Sequence, residues 1–357
     1  MKTRFFHAGG LSALVLAFVA SALVAPASAK PPAPNSYVVH NLVSDGSIPA
    51  DHTDPNLVNA WGLVHSATSP WWVADNETAV STLYNGSGTP LALVVHVPGA
   101  PTGTVFNGGT HFVVTSGAAS GPARFLFASE DGTISGWNPA VGATQAFVGL
   151  DNSADGASYK GLAIATTAAG DFLYAADFHN ARVDVVDGTF HVVSAAGAFV
   201  DPDLPAGYAP FGIQNLQGRI YVAYAKQDDE AKDEVAGPGL GFVSAFDASG
   251  NFLGRVASGD PLNAPWGLAI APAGFGRFSG NLLVGNFGDG RINAYDLATL
   301  EPKGHLKHPN HRPIVIDGLW GIGFGNGVGA GPTTTLFFAA GPDDETHGLL
   351  GKIDPAP

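Results

Sequence analysis

Short apolar segments recur along the chain in one order, and this order predicts strands rather than helices. In one copy, a small motif ends at Gly267 and an apolar segment follows at 268–270. A second apolar segment at 282–286 closes on an amide residue, and a third lies at 291–296. The other copies have their leading glycines at Gly62, Gly103, Gly161, Gly212 and Gly321. A spacing of about 40–60 residues without helical periodicity is typical of propeller blades.

The repeats predict an all-β fold, a six-bladed β-propeller closed by an N-terminal strand. The six blades are predicted at residues 60–97, 101–149, 159–200, 208–256, 264–306 and 317–354. The last blade lacks a fourth strand, whereas the β-rich segment 36–43 belongs to no repeat. Because an open propeller would leave unpaired strand edges, we expect segment 36–43 to pair as the outer strand of the final blade.

The first 29 residues have the pattern of a secretory signal peptide. Lys2 and Arg4 precede an apolar run at 11–24, and small residues end the pattern at 27–29. Cleavage at that point would leave residues 30–357 as a single propeller domain, secreted or periplasmic. The apolar run is shorter than the roughly 20 residues that cross a bilayer, and no later stretch is long enough. We therefore expect no transmembrane segment after signal cleavage.

Charge and cysteine content narrow the classes of function. The chain has 30 Asp and Glu residues against 16 Lys and Arg, which gives a formal net charge of −14. Nucleic-acid binding needs a basic surface, so we expect no nucleic-acid partner. The chain has no cysteine, which excludes disulfides, thiolate metal sites and cysteine nucleophiles. An acidic surface is compatible with cations and with positively charged partners.

Two repeats share a further pattern, in which an acidic or amide residue ends the second strand and an arginine begins the third. It occurs at Asp177 with Arg182 and at Asn286 with Arg291, and it resembles NHL-type propeller repeats. Nearly the whole chain after the signal is similar to an uncharacterised family of secreted bacterial β-propeller proteins. This resemblance is carried by segments 72–76, 130–138, 159–163, 283–290 and 317–321. It implies the fold and a secreted compartment, and it implies no activity.

We expect one face of the propeller to carry the loops that lead into the inner strands and the turns after the second strands. The acidic insertions 44–58 and 226–239 are expected on the same face. On this face, Asn59, Asn263 and Asp317 resemble the Asn and Asp part of the axial calcium site of gluconolactonase-like six-bladed propellers. The resemblance implies a divalent cation, with calcium preferred. No matching Glu precedes an inner strand, and Lys160 stands where a ligand would lie. The alternative is that these side chains only cap turns.

A second set of residues on the same face is predicted to bind a ligand. Trp61, Trp266 and Trp320 each precede a leading glycine, and Lys160 and Tyr208 lie at similar positions in other blades. The tryptophans either pack between blades or, if exposed at the axis, stack on a sugar or an aromatic ligand.

Candidate general bases on this face are His179, His347 and Glu345. Two further histidines, His308 and His311, would have to approach His347 to form a metal site. The chain has no Gly-x-Ser-x-Gly nucleophile motif, no phosphate-binding loop and no dinucleotide fingerprint.

Two functions remain open from the sequence. The first is a secreted binding protein that presents an acidic, tryptophan-rimmed face to a small molecule, a glycan or a protein. The second is a metal-dependent hydrolase or lyase, in which an axial cation polarises a substrate oxygen or activates water. The sequence therefore does not decide whether the protein is an enzyme.

Overall fold

The predicted strands are formed, and most of them lie in six radial antiparallel sheets. A computed structural model describes residues 1–6, 9 and 33–357. The first strands are β1 (Tyr37–Ser44) and β2 (His52–Thr53). Blade 1 comprises β3 (Ala60–Val64), β4 (Trp71–Asp75), β5 (Val80–Tyr84) and β6 (Val95–His96). Blade 2 comprises β7 (Pro101–Phe106), β10 (Phe125–Ser129), β11 (Thr133–Trp137) and β12 (Phe147–Asp151), with an inserted hairpin of β8 (Val113–Ser116) and β9 (Ala119–Pro122).

The remaining blades follow in chain order. Blade 3 comprises β13 (Tyr159–Thr167), β14 (Gly170–Asp177) and β15 (Arg182–Asp187). Blade 4 comprises β16 (Tyr208–Leu216), β17 (Arg219–Gln227), β19 (Phe242–Phe246) and β20 (Phe252–Ser258), and the short β18 (Glu234–Val235) pairs with the end of β17. Blade 5 comprises β21 (Pro265–Ile270), β22 (Leu282–Asn286), β23 (Ile292–Tyr295) and β24 (Pro302–His305). Blade 6 comprises β25 (Leu319–Phe324), β26 (Leu336–Ala340) and β27 (Leu349–Pro355).

The six inner strands surround one axis. Each contacts the inner strands of the two neighbouring blades, in the order β3, β7, β13, β16, β21, β25 and back to β3. The leading glycines permit this approach: a Cβ atom on Gly62 would lie 2.5 Å from the carbonyl oxygen of Thr102. A Cβ atom on Gly321 would lie 2.6 Å from the carbonyl oxygen of Trp61. Because the sixth glycine contacts the first blade, the ring closes after six blades, as predicted.

The closing strand is β1, which supplies the outer strand of blade 6. It pairs antiparallel with β27, and Val39 lies opposite Ile353 in the register. Tyr37 is fully buried at the start of β1, and its hydroxyl donates to the carbonyl oxygen of Phe275 at 3.0 Å. The prediction of closure by segment 36–43 is thus confirmed, with the strand one residue further along.

Blade 3 differs from the predicted four-stranded pattern. In the described residues its sheet has three strands, and an isolated bridge between Val186 and Val192 stands where an outer strand would begin. The following segment, 194–207, is rich in small residues and proline. Proline has no amide hydrogen for a sheet ladder, and glycine weakens a strand, so the outer strand does not form.

Residues 33–357 form one compact unit, which contains all six blades. The predicted signal peptide lies almost entirely outside the described residues, so its cleavage stays a prediction. Among the described residues, no helix has the length and apolar character needed to cross a membrane.

Candidate functional site

One residue from each blade precedes the leading glycine of its inner strand, and these residues meet around the axis. They are Trp61, Thr102, Lys160, Phe211, Trp266 and Trp320. The pairing between the first and second strands is irregular at this level in every blade. Such bulges redirect side chains and are frequent beside binding sites. The sequence repeat therefore places one lysine in a ring of otherwise uncharged side chains.

The aromatic members of this ring close the axis. Trp61 and Trp320 are stacked, with their ring centroids 3.5 Å apart, and Phe287 stacks on the opposite side of Trp320 at 4.0 Å. Trp266 contacts both tryptophans edge to face. Trp61 and Trp320 are almost completely buried, whereas Trp266 keeps part of its surface exposed. The tryptophans thus form a floor beneath the face, and beyond it the axis holds a cavity of only about 20 Å³.

Lys160 lies on this floor with its charge surrounded by carboxylates. Its Nζ atom is 2.5 Å from Oε1 of Glu130 and 3.5 Å from Oδ1 of Asp233, and it lies 5.3 Å from the ring centroid of Trp61. The side chain of Lys160 is only 2% exposed. Burial opposes its charge, but Glu130, with smaller contributions from Glu234 and Asp233, raises the pKa of Lys160. Lys160 therefore stays an ammonium group and is a poor nucleophile.

A buried amide connects the aromatic floor to the carboxylates. Asn59 accepts a hydrogen bond from Nε1 of Trp320 at 3.1 Å and donates one to Oε2 of Glu345 at 2.7 Å. The neighbouring Asn76 donates to Oε2 of Glu130 at 2.9 Å. Both amides are thereby oriented, and they hold Glu130 and Glu345 over the floor.

Two carboxyl groups near Lys160 have pKa values above those of ordinary carboxyl groups. Burial raises the pKa of Glu234 to about 8 in spite of the opposing charge of Lys160, and the nearby Glu345 and Asp233 add to the rise. Burial also raises the pKa of Glu345, against the hydrogen bond from Asn59 and with further repulsion from Glu130. Desolvation and like charges both favour the protonated form. We call the group of four carboxyl side chains around Lys160 the axial mouth; its members are Glu130, Asp233, Glu234 and Glu345. The axial mouth therefore has more carboxyl groups than positive charges.

Two loops bring these carboxylates to the axis, and each is fixed by a side chain from another blade segment. Loop 226–239 carries Asp233 and Glu234, and Oδ1 of Asn263 accepts from the amide of Gly237 at 2.7 Å. Turn 341–348 carries Glu345, and Oδ2 of Asp317 accepts from the amide of Asp343 at 3.0 Å.

The turn that carries Glu345 has an unusual backbone. Asp343, Asp344 and Glu345 have φ angles of 56°, 51° and 67°, all in the left-handed region. Residues with a Cβ atom rarely adopt this conformation, and a run of three is less favourable still. Backbone strain of this kind is concentrated at functional sites. The strained turn places the Glu345 carboxylate within hydrogen-bond distance of Asn59.

The three predicted metal ligands each make hydrogen bonds within the protein. Asn59 donates to Glu345 of the axial mouth, whereas Asn263 and Asp317 hold the two loops through the contacts given above. The side-chain oxygen of each amide, and one oxygen of the Asp317 carboxylate, already accepts a hydrogen bond. The described part of the chain contains no group of three His, Asp or Glu side chains arranged to hold a metal ion. A divalent cation held by Asn59, Asn263 and Asp317 therefore stays a prediction.

The remaining predicted residues have separate places on this face. His347 contacts Oδ2 of Asp45 through Nδ1 at 2.7 Å, at the edge of the turn that carries Glu345. His179 is exposed, and its Nδ1 lies 3.2 Å from the carbonyl oxygen of Ala231 in loop 226–239. Tyr208 packs edge to face on Phe242, on the side of blade 4. Of the predicted catalytic set, Glu345 is the member that the structure places beside Lys160.

Glu130, Asp233 and Glu234 were expected on this face, but they were not among the predicted site residues, and neither was Asn76. Glu130 and Asn76 follow the second strands of their blades, and the same position holds Phe178, Phe287 and Gly341 elsewhere. An alignment of the repeats at this position, as well as at the leading glycine, would have selected Glu130. Asp233 and Glu234 lie in an insertion without a counterpart in other blades, so the repeat pattern does not show which of its acidic side chains reach the axis.

Similarity to known proteins extends over most of the chain. No protein-family model matches it. The chain is 33% identical over 335 residues to an uncharacterised protein of Acanthamoeba polyphaga mimivirus, and the match covers 89% of this chain and 80% of that protein. A second uncharacterised protein of this virus is 34% identical over 338 residues, with coverage of 89% and 86%. The chain belongs to the same family as these two proteins. Because both are viral, they do not support the bacterial origin implied by the sequence resemblance, and secretion stays a prediction.

Solved structures resemble the fold at low sequence identity. The structure of a streptogramin B lyase has a TM-score of 0.51 and 12% identity, and the match covers 90% of this chain and 97% of that one. A protein of unknown function from Bacteroides thetaiotaomicron has a TM-score of 0.54 and 13% identity, with coverage of 89% and 76%. At this identity the likeness shows the fold alone, and it confirms the predicted propeller.

Proposed function

We propose that this member of the family is a secreted binding protein whose axial mouth takes a small organic cation with an ammonium group. The observation that carries the proposal is the charge balance at the mouth. Four carboxyl groups from three parts of the chain surround the single ammonium group of Lys160. A cation bound there would supply the missing positive charge.

The exposure of these groups supports a ligand that arrives from solvent. The side chains of Asp233 and Glu130 are 63% and 27% exposed, whereas that of Lys160 is 2% exposed. An incoming cation therefore meets carboxylates before it meets the lysine. Asn59 and Asn76 keep Glu345 and Glu130 in fixed orientations, and a preorganised site loses less entropy on binding.

The test is a calorimetric titration with putrescine, using 1,4-butanediol as the uncharged compound of the same chain length. We expect putrescine to bind and the diol not to bind. Glu345→Gln should weaken putrescine binding by about tenfold, which corresponds to one charge-assisted contact of roughly 1.4 kcal/mol. Asp203→Asn removes an exposed carboxylate away from the axis and should leave the affinity unchanged. Equal affinity for putrescine and the diol, or an equal loss in both variants, would contradict the proposal.

An acid–base enzyme of the hydrolase or lyase class is the second candidate. Glu234, with a pKa of about 8, is protonated near neutral pH, and Glu130 is paired with the ammonium group of Lys160, which also acts on Glu234. Two carboxyl groups in such different environments can act as general acid and as general base. The fold of a streptogramin B lyase is compatible with this class.

A titration with calcium chloride separates the metal-dependent form of this candidate from the binding protein. Calcium binding that Glu345→Gln abolishes would favour the enzyme. Binding of putrescine without calcium binding favours the binding protein.

A further inference from the structure

A second pocket lies on the side of the propeller, between strand β24 and the segment that leads into β1. Its volume is about 650 Å³, and none of its lining residues belongs to the axial mouth. The wall includes Asn35, Arg277, Lys303, His305, Lys307 and His311. No Asp or Glu among the described residues lines this pocket, although the chain has a formal net charge of −14. The pocket is thus a local concentration of positive charge on an acidic protein.

Part of this charge is not compensated by neighbouring side chains. Within the described ranges, Lys303 has acidic partners in Asp296 and Glu301 at 3.3 and 3.7 Å. Arg277, which is exposed, and Lys307, which is half-buried, have no carboxylate partner there. Two cations therefore face the pocket with their charges available to a ligand.

A half-buried imidazole, with one nitrogen unpaired among the described residues, adds a second observation that points to a ligand. His305 lines the pocket, and its Nε2 atom is buried without a hydrogen-bond partner among residues 33–357. Buried polar atoms are almost always paired. Burial, followed by the charges of Lys307 and Arg291, lowers the pKa of His305. The ring is therefore neutral near pH 7 and has one N–H group to donate, in surroundings that favour negative charge.

We infer that this pocket binds a small molecule that carries a phosphate group. Arg277 and Lys307 provide charge-assisted hydrogen bonds to phosphate oxygens, and arginine matches them in a planar, two-pronged geometry. His305 adds a neutral hydrogen-bond donor. The volume is far larger than one phosphate ion needs and falls in the range of small-molecule sites, so the ligand is a phosphomonoester rather than the free ion.

The test is a calorimetric titration of the full-length protein with glycerol 3-phosphate, with inorganic phosphate as a second probe. Sodium chloride is held at one ionic strength throughout, because screening weakens exposed charge pairs. Arg277→Gln is the principal variant, since the exposed side chain can be changed without disturbing the core. Lys307→Gln is the second variant. Arg219→Gln is the matched control, because it removes the same charge from an exposed site at the start of β17.

We expect a dissociation constant below about 1 mM for glycerol 3-phosphate and weaker binding of inorganic phosphate. Each pocket variant should weaken glycerol 3-phosphate binding by about tenfold or more, and the control by less than about twofold. Tighter binding of inorganic phosphate than of the ester would overturn the ester assignment. Absence of binding to the wild-type protein, or equal losses in Arg277→Gln and Arg219→Gln, would overturn the site itself.

Discussion

Lys160 keeps its charge in a position where burial opposes it. The repeat pattern predicts the position of this lysine, because it precedes a leading glycine as the tryptophans do. The pattern does not predict its partners. Glu130 comes from the preceding blade and Asp233 from an insertion, and both contacts depend on how distant segments meet at the axis. The type and the repeat position of Lys160 could thus be predicted from the sequence, whereas the balance between its charge and the surrounding carboxylates could not.

Replacement of Lys160 by methionine should destabilise the protein through the carboxylates left behind. Removing one partner of a buried ion pair leaves an uncompensated charge, and here Glu130 remains 27% exposed. We therefore expect a loss of about 2 kcal/mol in the free energy of unfolding, less than for a fully buried pair. The measurement is urea unfolding of the single variants and of Lys160→Met with Glu130→Gln. The double variant should be more stable than Lys160→Met alone, and strictly additive losses would contradict the pairing.

The left-handed turn offers a second test at single residues. Asp344 has a φ angle of 51°, is exposed, and lies next to Glu345. Glycine adopts this conformation without steric cost, so Asp344→Gly should raise the free energy of unfolding by about 0.5–1 kcal/mol. Asp203→Gly, at a position without a positive φ angle, should lower it. Thermal melting of both variants checks this, and a loss of stability in both would argue against strain in the turn.

At the scale of elements, strands were predictable and loops were not. Short apolar segments and leading glycines place the inner strands to within a few residues, because burial against two neighbouring blades dictates their composition. Loop 226–239 and turn 341–348 lack such a constraint. Asn263 and Asp317 were predicted as metal ligands because their residue types suit calcium, but they fix these two loops. An amide or a carboxylate before an inner strand serves either role, and only the partner distinguishes them.

The closing strand β1 can be tested by deletion. Residues 36–44 pair with β27 and bury Tyr37, so their removal exposes the edge of β27 and part of the core. We expect the deletion to abolish cooperative unfolding and to cause aggregation. The milder Tyr37→Phe variant, which removes the hydrogen bond to Phe275, should lower the free energy of unfolding by about 1 kcal/mol. A truncated protein that stays soluble and melts cooperatively would contradict closure by β1.

At the scale of the whole molecule, charge is distributed unevenly. The chain as a whole is acidic, and the mouth of the axis concentrates carboxyl groups, while the side pocket between β24 and β1 is basic. From the net charge of the chain, we predicted that nucleic acid is not a partner. The net charge did not predict two regions of opposite sign, because the arrangement depends on which loops the propeller brings together.

The acidity of Glu234 predicts how stability depends on pH. Its pKa is about 8 in the folded protein against an ordinary value of 4.5, so between these values the folded state binds more protons than the unfolded state. Stability should therefore fall as the pH rises from about 4.5 to about 8 and level off above that range. Glu234→Gln removes this dependence. Urea unfolding at several pH values checks it, and a parallel pH dependence of the wild-type protein and Glu234→Gln would contradict the assignment.

The most direct test of the axial mouth as a cation site is the number of protons released when putrescine binds. A bound cation favours the ionised form of Glu234, which is mostly protonated at pH 7. Calorimetric titrations in buffers of different ionisation enthalpy measure this number. The account predicts a release approaching about one proton per ligand at pH 7, and its loss in Glu234→Gln. Putrescine binding without proton release, or with equal release in Glu234→Gln, would contradict it.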